Sequence, residues 1–309
     1  MMFPAADMAR YLRRFLAVSV GGLFIVGLFN LIVDPYCRFG LNRLGVYTSA
    51  SREFKLRQAG RVPHDALLMG NSRIAQVAVG QLRGRTFFNG GVEGASLREV
   101  QLFLERNLRP HELVVLNLDH YILGFESDVE PASAFSPLSP QLFGKYLLSL
   151  KTIEYSFRTI AKHLAGKPPI IDSHGTSESA QWRIDRDIDN PGWLRGEIAT
   201  QSEHIRGFRF KPQRVEELQA IQRLVQNREG RLIVFFSPVH EDLLPALETG
   251  EAAVEWKRAV QQVQAMFPNS VDLTHSPFSN RTNFFRTDPV HFFPEVGTRI
   301  LNEWVLPRD

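Results

Sequence analysis

The chain has 309 residues, 44% of them hydrophobic, and its 36 Lys plus Arg against 33 Asp plus Glu leave a formal net charge of +3. That length supports one large core plus an anchor, and charges of mixed sign spread along the chain exclude the electrostatic footprint of a nucleic-acid binder. A single cysteine, Cys37, excludes an intrachain disulfide, and a large domain manages without one in either redox compartment.

The first element is Phe15 to Val33, 19 residues without a charge. It is long enough to cross a hydrocarbon core about 30 Å thick, and long for the apolar part of a signal peptide. Arg10, Arg13 and Arg14 precede it and Asp34-Pro35 follows, so the positive-inside rule places residues 1–14 in the cytoplasm and everything after residue 33 outside. A cleaved signal peptide is the competing reading, but Asp34-Pro35-Tyr36-Cys37 offers no small-x-small cleavage site. Cys37 lacks a lipoprotein context and reads as a plain juxtamembrane residue. Residues 34–64 lead into a domain expected over 65–309.

Strand-like and helix-like segments then alternate. Asp65 to Met69 is a short apolar run that reads as a buried strand; Gly70-Asn71-Ser72 ends it at a turn, ahead of a helix expected from Ile74 to Leu82. Thr86 to Gly91 is a second strand closing on glycines, and Ser96 to Leu108 a helix. Glu112 to Asp119 is a third strand. Between Gly124 and Phe210, six prolines and many serines interrupt shorter helical stretches such as Leu142 to Leu164; a region this long without clear strands reads as an insertion, about 125–210, that covers or shapes the working face. Helices over Pro212 to Gln226 and Glu251 to Phe267 precede strands at Arg231–Phe236 and Ser270–Leu273, and Pro294 opens a terminal helix reaching Leu301. This alternation implies an α/β fold with a parallel, helix-covered sheet.

Two short segments carry chemistry. Gly70-Asn71-Ser72-Arg73 puts a serine at the carboxyl end of the first strand, where open α/β sheets bind ligands. Asp288-Pro289-Val290-His291 puts a histidine in the loop before the terminal helix. Together they would supply a nucleophile, Ser72, a base, His291, and a carboxylate to orient it, Asp288. The bland alternatives are that Ser72 is a helix cap and Asp288-Pro289 a turn. Arg73 would hold an anionic sugar or carboxylate, or lie on the surface. His240, after the fourth strand, would line the same cleft or make a structural hydrogen bond, and His120 and Tyr121 are similarly open. The histidines at 64, 111, 163, 174, 204 and 275 show no metal-ligand spacing, so no metal is expected, and no cofactor. The aromatic residues read mostly as core, with Trp182 and Trp193 as candidate sugar-stacking platforms.

Gly70-Asn71-Ser72, then Asn89-Gly90-Gly91-Val92-Glu93-Gly94, a polar residue ending the third strand, and Asp288-x-x-His291 follow one another in the order of the blocks of the SGNH (GDSL-like) hydrolase superfamily, which the chain resembles over residues 65 to 305. The span ending in Val33-Asp34-Pro35-Tyr36, together with Leu118-Asp119-His120-Tyr121 and Ser237-Pro238-Val239-His240, is similar to a membrane-anchored bacterial subgroup related to proteins that acetylate exported polysaccharides, such as the alginate acetylation proteins.

The resemblance implies a three-layer α/β/α flavodoxin-like domain on a single-pass inner-membrane anchor, with the domain on the periplasmic side. It implies that Ser72, His291 and Asp288 act as a triad on an acyl group, most readily acetyl, passed to or from an extracytoplasmic polysaccharide. A separate multi-span membrane protein would deliver that group. It assigns the amides of Ser72 and Gly91 as oxyanion donors, each typically worth about 3 to 4 kcal/mol of barrier. The third donor of the superfamily is an asparagine, and here Asp119 stands in its place, where an ionised carboxylate would repel an oxyanion. Asp119 would then be turned away, protonated or bound to another group, with Asn71 or Asn89 as replacement donors or as turn residues. Two classes follow: a serine acyltransferase or esterase, and a non-catalytic anchored glycan-binding component of an assembly system. A tag on the C-terminus is expected to be reached only from outside the cytoplasm in an accessibility assay; a cytoplasmic tag would remove every export-related reading.

Overall fold

Apolar runs without polar alternation suit strands covered on both faces, and in the computed structural model five such runs pair in parallel. β1 (Ala66–Met69), β2 (Phe87–Asn89), β3 (Leu113–Leu118), β4 (Arg231–Phe236) and β5 (Val271–Asp272) form one sheet in the order β2-β1-β3-β4-β5. The structure describes residues 5–46, 51–124, 140–167, 170–177 and 190–308. Two compact units divide the chain, Met1–Phe54 with Ser136–Pro169, and Lys55–Phe135 with Ile170–Asp309. The sheet lies in the second.

Successive strand residues point to opposite faces, so each strand feeds two cores. Leu67, Met69, Val114, Leu116, Val234 and Phe236 face one cluster, filled from the Leu97–Asn107, Gln213–Asn227 and Gly250–Met266 helices. Leu68, Val115, Ile233 and Phe235 face the other, closed by Phe292, Val296 and Ile300. Burying each such side chain contributes about 1.5–3 kcal/mol. From β1 the chain moves to β2 on one side and then to β3 on the other. This reversal opens a crevice at the carboxyl ends of β1 and β3.

Three local expectations are corrected. The helix expected over 74–82 is one turn, Ser72–Ala75, followed by a 3-10 turn, Val79–Gln81. The Asn89 side-chain Nδ2 donates to the carbonyls of Ile74, Ala75 and Val77 at 2.8, 3.2 and 3.1 Å, and the Ser177 backbone amide to Ala75 at 2.7 Å. Those carbonyls are the acceptors that a continuing helix would need. His291 lies in a strand rather than a loop: β6 (Phe284–Phe285) and β7 (Asp288–Phe292) form an antiparallel ribbon, Phe284 opposite Phe292. The stretch expected as one helix over 142–164 is two, Pro140–Leu148 and Leu150–Leu164, with Ser149 accepting from the Thr152 amide as the cap of the second.

In the first unit the Ala5–Val33 helix is long and apolar enough to cross a membrane, with mean hydropathy 2.4 and only 17% of its most apolar window buried. Asn30, near its end, donates to the Leu147 carbonyl at 2.7 Å and accepts from Ser156 at 2.8 Å. These bonds satisfy a polar side chain that is 1% exposed within the uncharged 15–33 stretch of the helix. Just beyond, the Asp34 carboxylate accepts from the amides of Phe39 and Leu41 and closes the turn. The 125–210 segment therefore divides, part belonging to this unit and the rest to the sheet unit. Its residues 125–139 and 178–189, Trp182 among them, lie outside the described residues.

Lys55 is fully buried and donates its ammonium to the Gly91 carbonyl. Burial lowers its pKa from 10.5 to about 8, against the opposing pull of Glu93 and Asp172. Below about pH 8 both folded and unfolded chains hold the proton. Between that value and 10.5 the folded chain holds fewer, so stability rises with pH across the window, by about 3 kcal/mol in all. Thermal melting from pH 7 to 10.5 is expected to show this rise in the wild type and a flatter profile in Lys55→Met; parallel profiles would mean that Lys55 titrates normally.

Candidate active site

β1 ends at Met69, and the chain must turn at once beneath β3. Gly70 has φ 151°, and a Cβ there would come within 2.9 Å of the Asn117 Cβ, so no other residue fits without displacing β3. Asn71 then caps the short helix, its Oδ1 accepting from the Arg73 amide at 3.1 Å. Ser72 is thus not the cap. It occupies the first helical position, half-buried, while Asn71 and Arg73 on either side are 4% and 1% exposed. Its amide meets no acceptor among the described residues.

Against it stands the β6–β7 ribbon. Asp288 folds back over its own strand, accepting from the amides of Val290 at 2.8 Å and His291 at 3.3 Å, a local Asx-type turn. Its other oxygen meets His291 Nδ1 at 2.6 Å, and His291 Nε2 meets Ser72 Oγ at 2.8 Å. Burial works to raise the Asp288 pKa. The hydrogen bond and charge of His291, with the two amides, outweigh it and hold the group below the usual carboxylate range. An ionised Asp288 only accepts, so Nδ1 carries the proton and Nε2 is left to accept from the serine hydroxyl. The Gln76 side chain secures the ribbon by donating to the Phe292 carbonyl at 2.8 Å.

The other expected site residues fare differently. Asp119 is 2% exposed and turned from the cleft into a buried knot. Its Oδ2 lies 3.0 Å from Arg73 Nε and accepts from Asn71 Nδ2 at 2.7 Å, while its Oδ1 accepts from the Ile122 amide at 2.9 Å. Arg73 Nη1 also donates to the Pro238 carbonyl at 3.0 Å, while its Nη2 is buried without a hydrogen-bond partner among the described residues. The Gly91 backbone amide donates to Asn89 Oδ1 at 3.0 Å and the Asn89 side-chain Nδ2 to the three carbonyls above. Neither is available as an oxyanion donor, and Asn71 is committed too. His240 is 1% exposed, accepts from the Asp242 amide at 3.1 Å and packs edge-on against Phe284 at 5.0 Å; it does not line the cleft over Ser72. His120 is buried with neither ring nitrogen hydrogen-bonded. Burial, then the Arg73 charge, pull its pKa down to about 3 and keep it neutral.

A cleft of about 430 Å³ opens over Ser72 and His291. Its far wall is the Pro191–Arg206 helix, started by Pro191 and capped by Asn190, which brings Trp193, Glu197 and Gln201 to the cleft. Tyr121 lines it from the end of β3, its hydroxyl donating to Gln201 Oε1, and burial is the main cause that lifts its pKa to about 12. Gly94, at φ 61° in the turn after β2, and Thr287 complete the lining. Sequence reasoning named Trp193 but missed Glu197 and Gln201. Their spacing of four and eight residues from Trp193 within one helix was the signal that could have found them. Among the described residues no group of three His, Cys, Asp or Glu side chains is placed to hold a metal ion. No protein-family model matches the chain, and comparison with curated proteins finds no significant match.

Arg73→Met would leave the Asp119 carboxylate buried without its cation, and unfolding of the full chain is expected to show a loss of about 3–5 kcal/mol. The double variant Arg73→Met, Asp119→Leu should recover most of it; a single variant as stable as the wild type would mean that the pair does not hold the site.

Proposed function

We propose that the chain is a serine-dependent acyltransferase or esterase that moves an acyl group, most readily acetyl, on or off a polysaccharide outside the cytoplasm. The observation that carries this is the continuous relay Asp288–His291–Ser72, with contacts of 2.6 and 2.8 Å, opening into a cleft. Such a relay lets Ser72 Oγ attack an acyl carbonyl as Nε2 takes its proton. The tetrahedral intermediate then expels the alcohol, which takes that proton from His291. Acyl-Ser72 is resolved by a second hydroxyl in transfer, or by water in hydrolysis. With Gly91 engaged by Asn89, the Ser72 amide, which meets no acceptor among the described residues, is a backbone donor on the cleft wall for the oxyanion.

The strand order β2-β1-β3-β4-β5 with helices on both faces supports a flavodoxin-like three-layer domain of SGNH type. The apolar Ala5–Val33 helix supports a single-pass anchor in a bacterial inner membrane with residues 1–14 inside. A multi-span membrane protein as acyl donor fits that placement. One observation favours the second reading, a non-catalytic glycan-binding component: Asp119 stands where the superfamily has an oxyanion-binding asparagine and is locked to Arg73.

Turnover of p-nitrophenyl acetate by the full chain in nanodiscs separates the two. Asp288→Asn is expected to lower it by about 10³- to 10⁴-fold, because Nδ1 loses the partner that holds the productive tautomer. Equal rates for Asp288→Asn and the wild type would end the triad reading.

A further inference from the structure

Trp193, Glu197 and Gln201 lie one helical turn apart in succession, so the Pro191–Arg206 helix presents them to the cleft as one stripe facing Ser72 and His291. Their chemistry is that of a sugar site. Trp193 is 55% exposed, so its ring face is open to stack on a flat apolar ligand face. Glu197, next along, is close enough to Tyr121 to help raise its pKa and makes no ion pair among the described residues. Gln201 uses its carbonyl oxygen to accept from Tyr121, which leaves its amide nitrogen as a donor. Aromatic face, carboxylate acceptor and amide donor in a row match the apolar face and hydroxyl rim of a sugar ring.

Charge then selects among sugars. Arg73 is the one Lys or Arg on the cleft wall among the described residues, and it is buried and paired with Asp119 at 3.0 Å. The charges the cleft presents are carboxylates, Glu197 and the His291-bound Asp288. A sugar carboxylate entering it would meet like charge, and the wall's one cation among the described residues, Arg73, is 1% exposed. We propose that this helix face is a binding subsite for a sugar residue that carries hydroxyls and no carboxylate, which excludes polyuronates as the ligand. That the bound sugar is the acyl acceptor or donor rests on the Ser72 reading above; the binding does not.

The test is titration of the full chain in nanodiscs with a panel of neutral hexasaccharides, cellohexaose, xylohexaose and chitohexaose, against hexagalacturonate. At least one neutral sugar is expected to bind, with hexagalacturonate at least tenfold weaker, and Trp193→Ala is expected to weaken the neutral sugar by about tenfold through lost stacking. Glu197→Lys should shift the preference toward hexagalacturonate. Trp193 is exposed, so the fold is expected to survive its loss, and Trp193→Phe with an unchanged melting temperature and partial binding controls for it. Uronate binding as tight as the best neutral sugar, no neutral binding, or an unaffected Trp193→Ala would each overturn the subsite. Aryl acetate turnover without neutral-sugar binding would sink the subsite alone. Sugar binding without turnover would sink the acyl-transfer reading and leave the subsite standing.

Discussion

The buried contact between Arg73 and Asp119 draws three strand ends together: Arg73 follows β1, Asp119 follows β3, and the Pro238 carbonyl that Arg73 also reaches follows β4. Asn71 threads the same knot, accepting from the Arg73 amide with one end of its side chain and donating to Asp119 with the other. Isolated, either charge at this depth would cost several kcal/mol of desolvation. Paired, and with further hydrogen bonds, they fix the backbone on both sides of Ser72. The serine is left as the half-buried residue in a run of buried ones, its hydroxyl turned to His291.

That direction matters because the partner arrives from the far end of the chain. His291 is 219 residues away, and it is brought in on the β6–β7 ribbon rather than on a free loop. Phe284 and Phe292 anchor the ribbon in the core, Gln76 ties it to the segment after Ser72, and Asp288 braces it through two of its own amides. Asp288, held below the usual carboxylate range chiefly by His291 against the opposing effect of burial, stays an acceptor through the physiological range. The relay is therefore preorganised by backbone pairing on one side and by a buried ion pair on the other.

The sheet was legible because buried parallel strands are written as apolar runs; β4 has the bounds read from Arg231–Phe236, β1 differs from its reading by one residue at its start, and β3 by one residue at each end. Ser72, His291 and Asp288 stood out as strand-end strings, and the structure brings them within hydrogen-bond reach. What failed depended on distant partners. Nothing local says that Asn89 will take the carbonyls of Ile74, Ala75 and Val77 and cut a helix short, or that doing so removes Asn89 and Gly91 from any oxyanion hole. Arg73 was read as a ligand-holding cation or a surface arginine and is neither solvent-exposed nor unpaired, because its countercharge, Asp119, is 46 residues on and follows another strand. Asp119 looked anomalous only against an asparagine; beside Arg73 a carboxylate is what the site requires. The cleft's far wall was obscured by a proline- and serine-rich stretch whose helix, Pro191–Arg206, carries no core-forming periodicity as plain as that of the sheet-covering helices.

The central claim is that Ser72 is an activated nucleophile, and intact-mass analysis of the full chain after exposure to a serine-directed fluorophosphonate tests it most directly, with Ser72→Ala alongside. A single adduct on the wild type that is lost in Ser72→Ala is the predicted result. A folded wild-type chain that takes up no adduct, or one whose adduct persists in the variant, would contradict it.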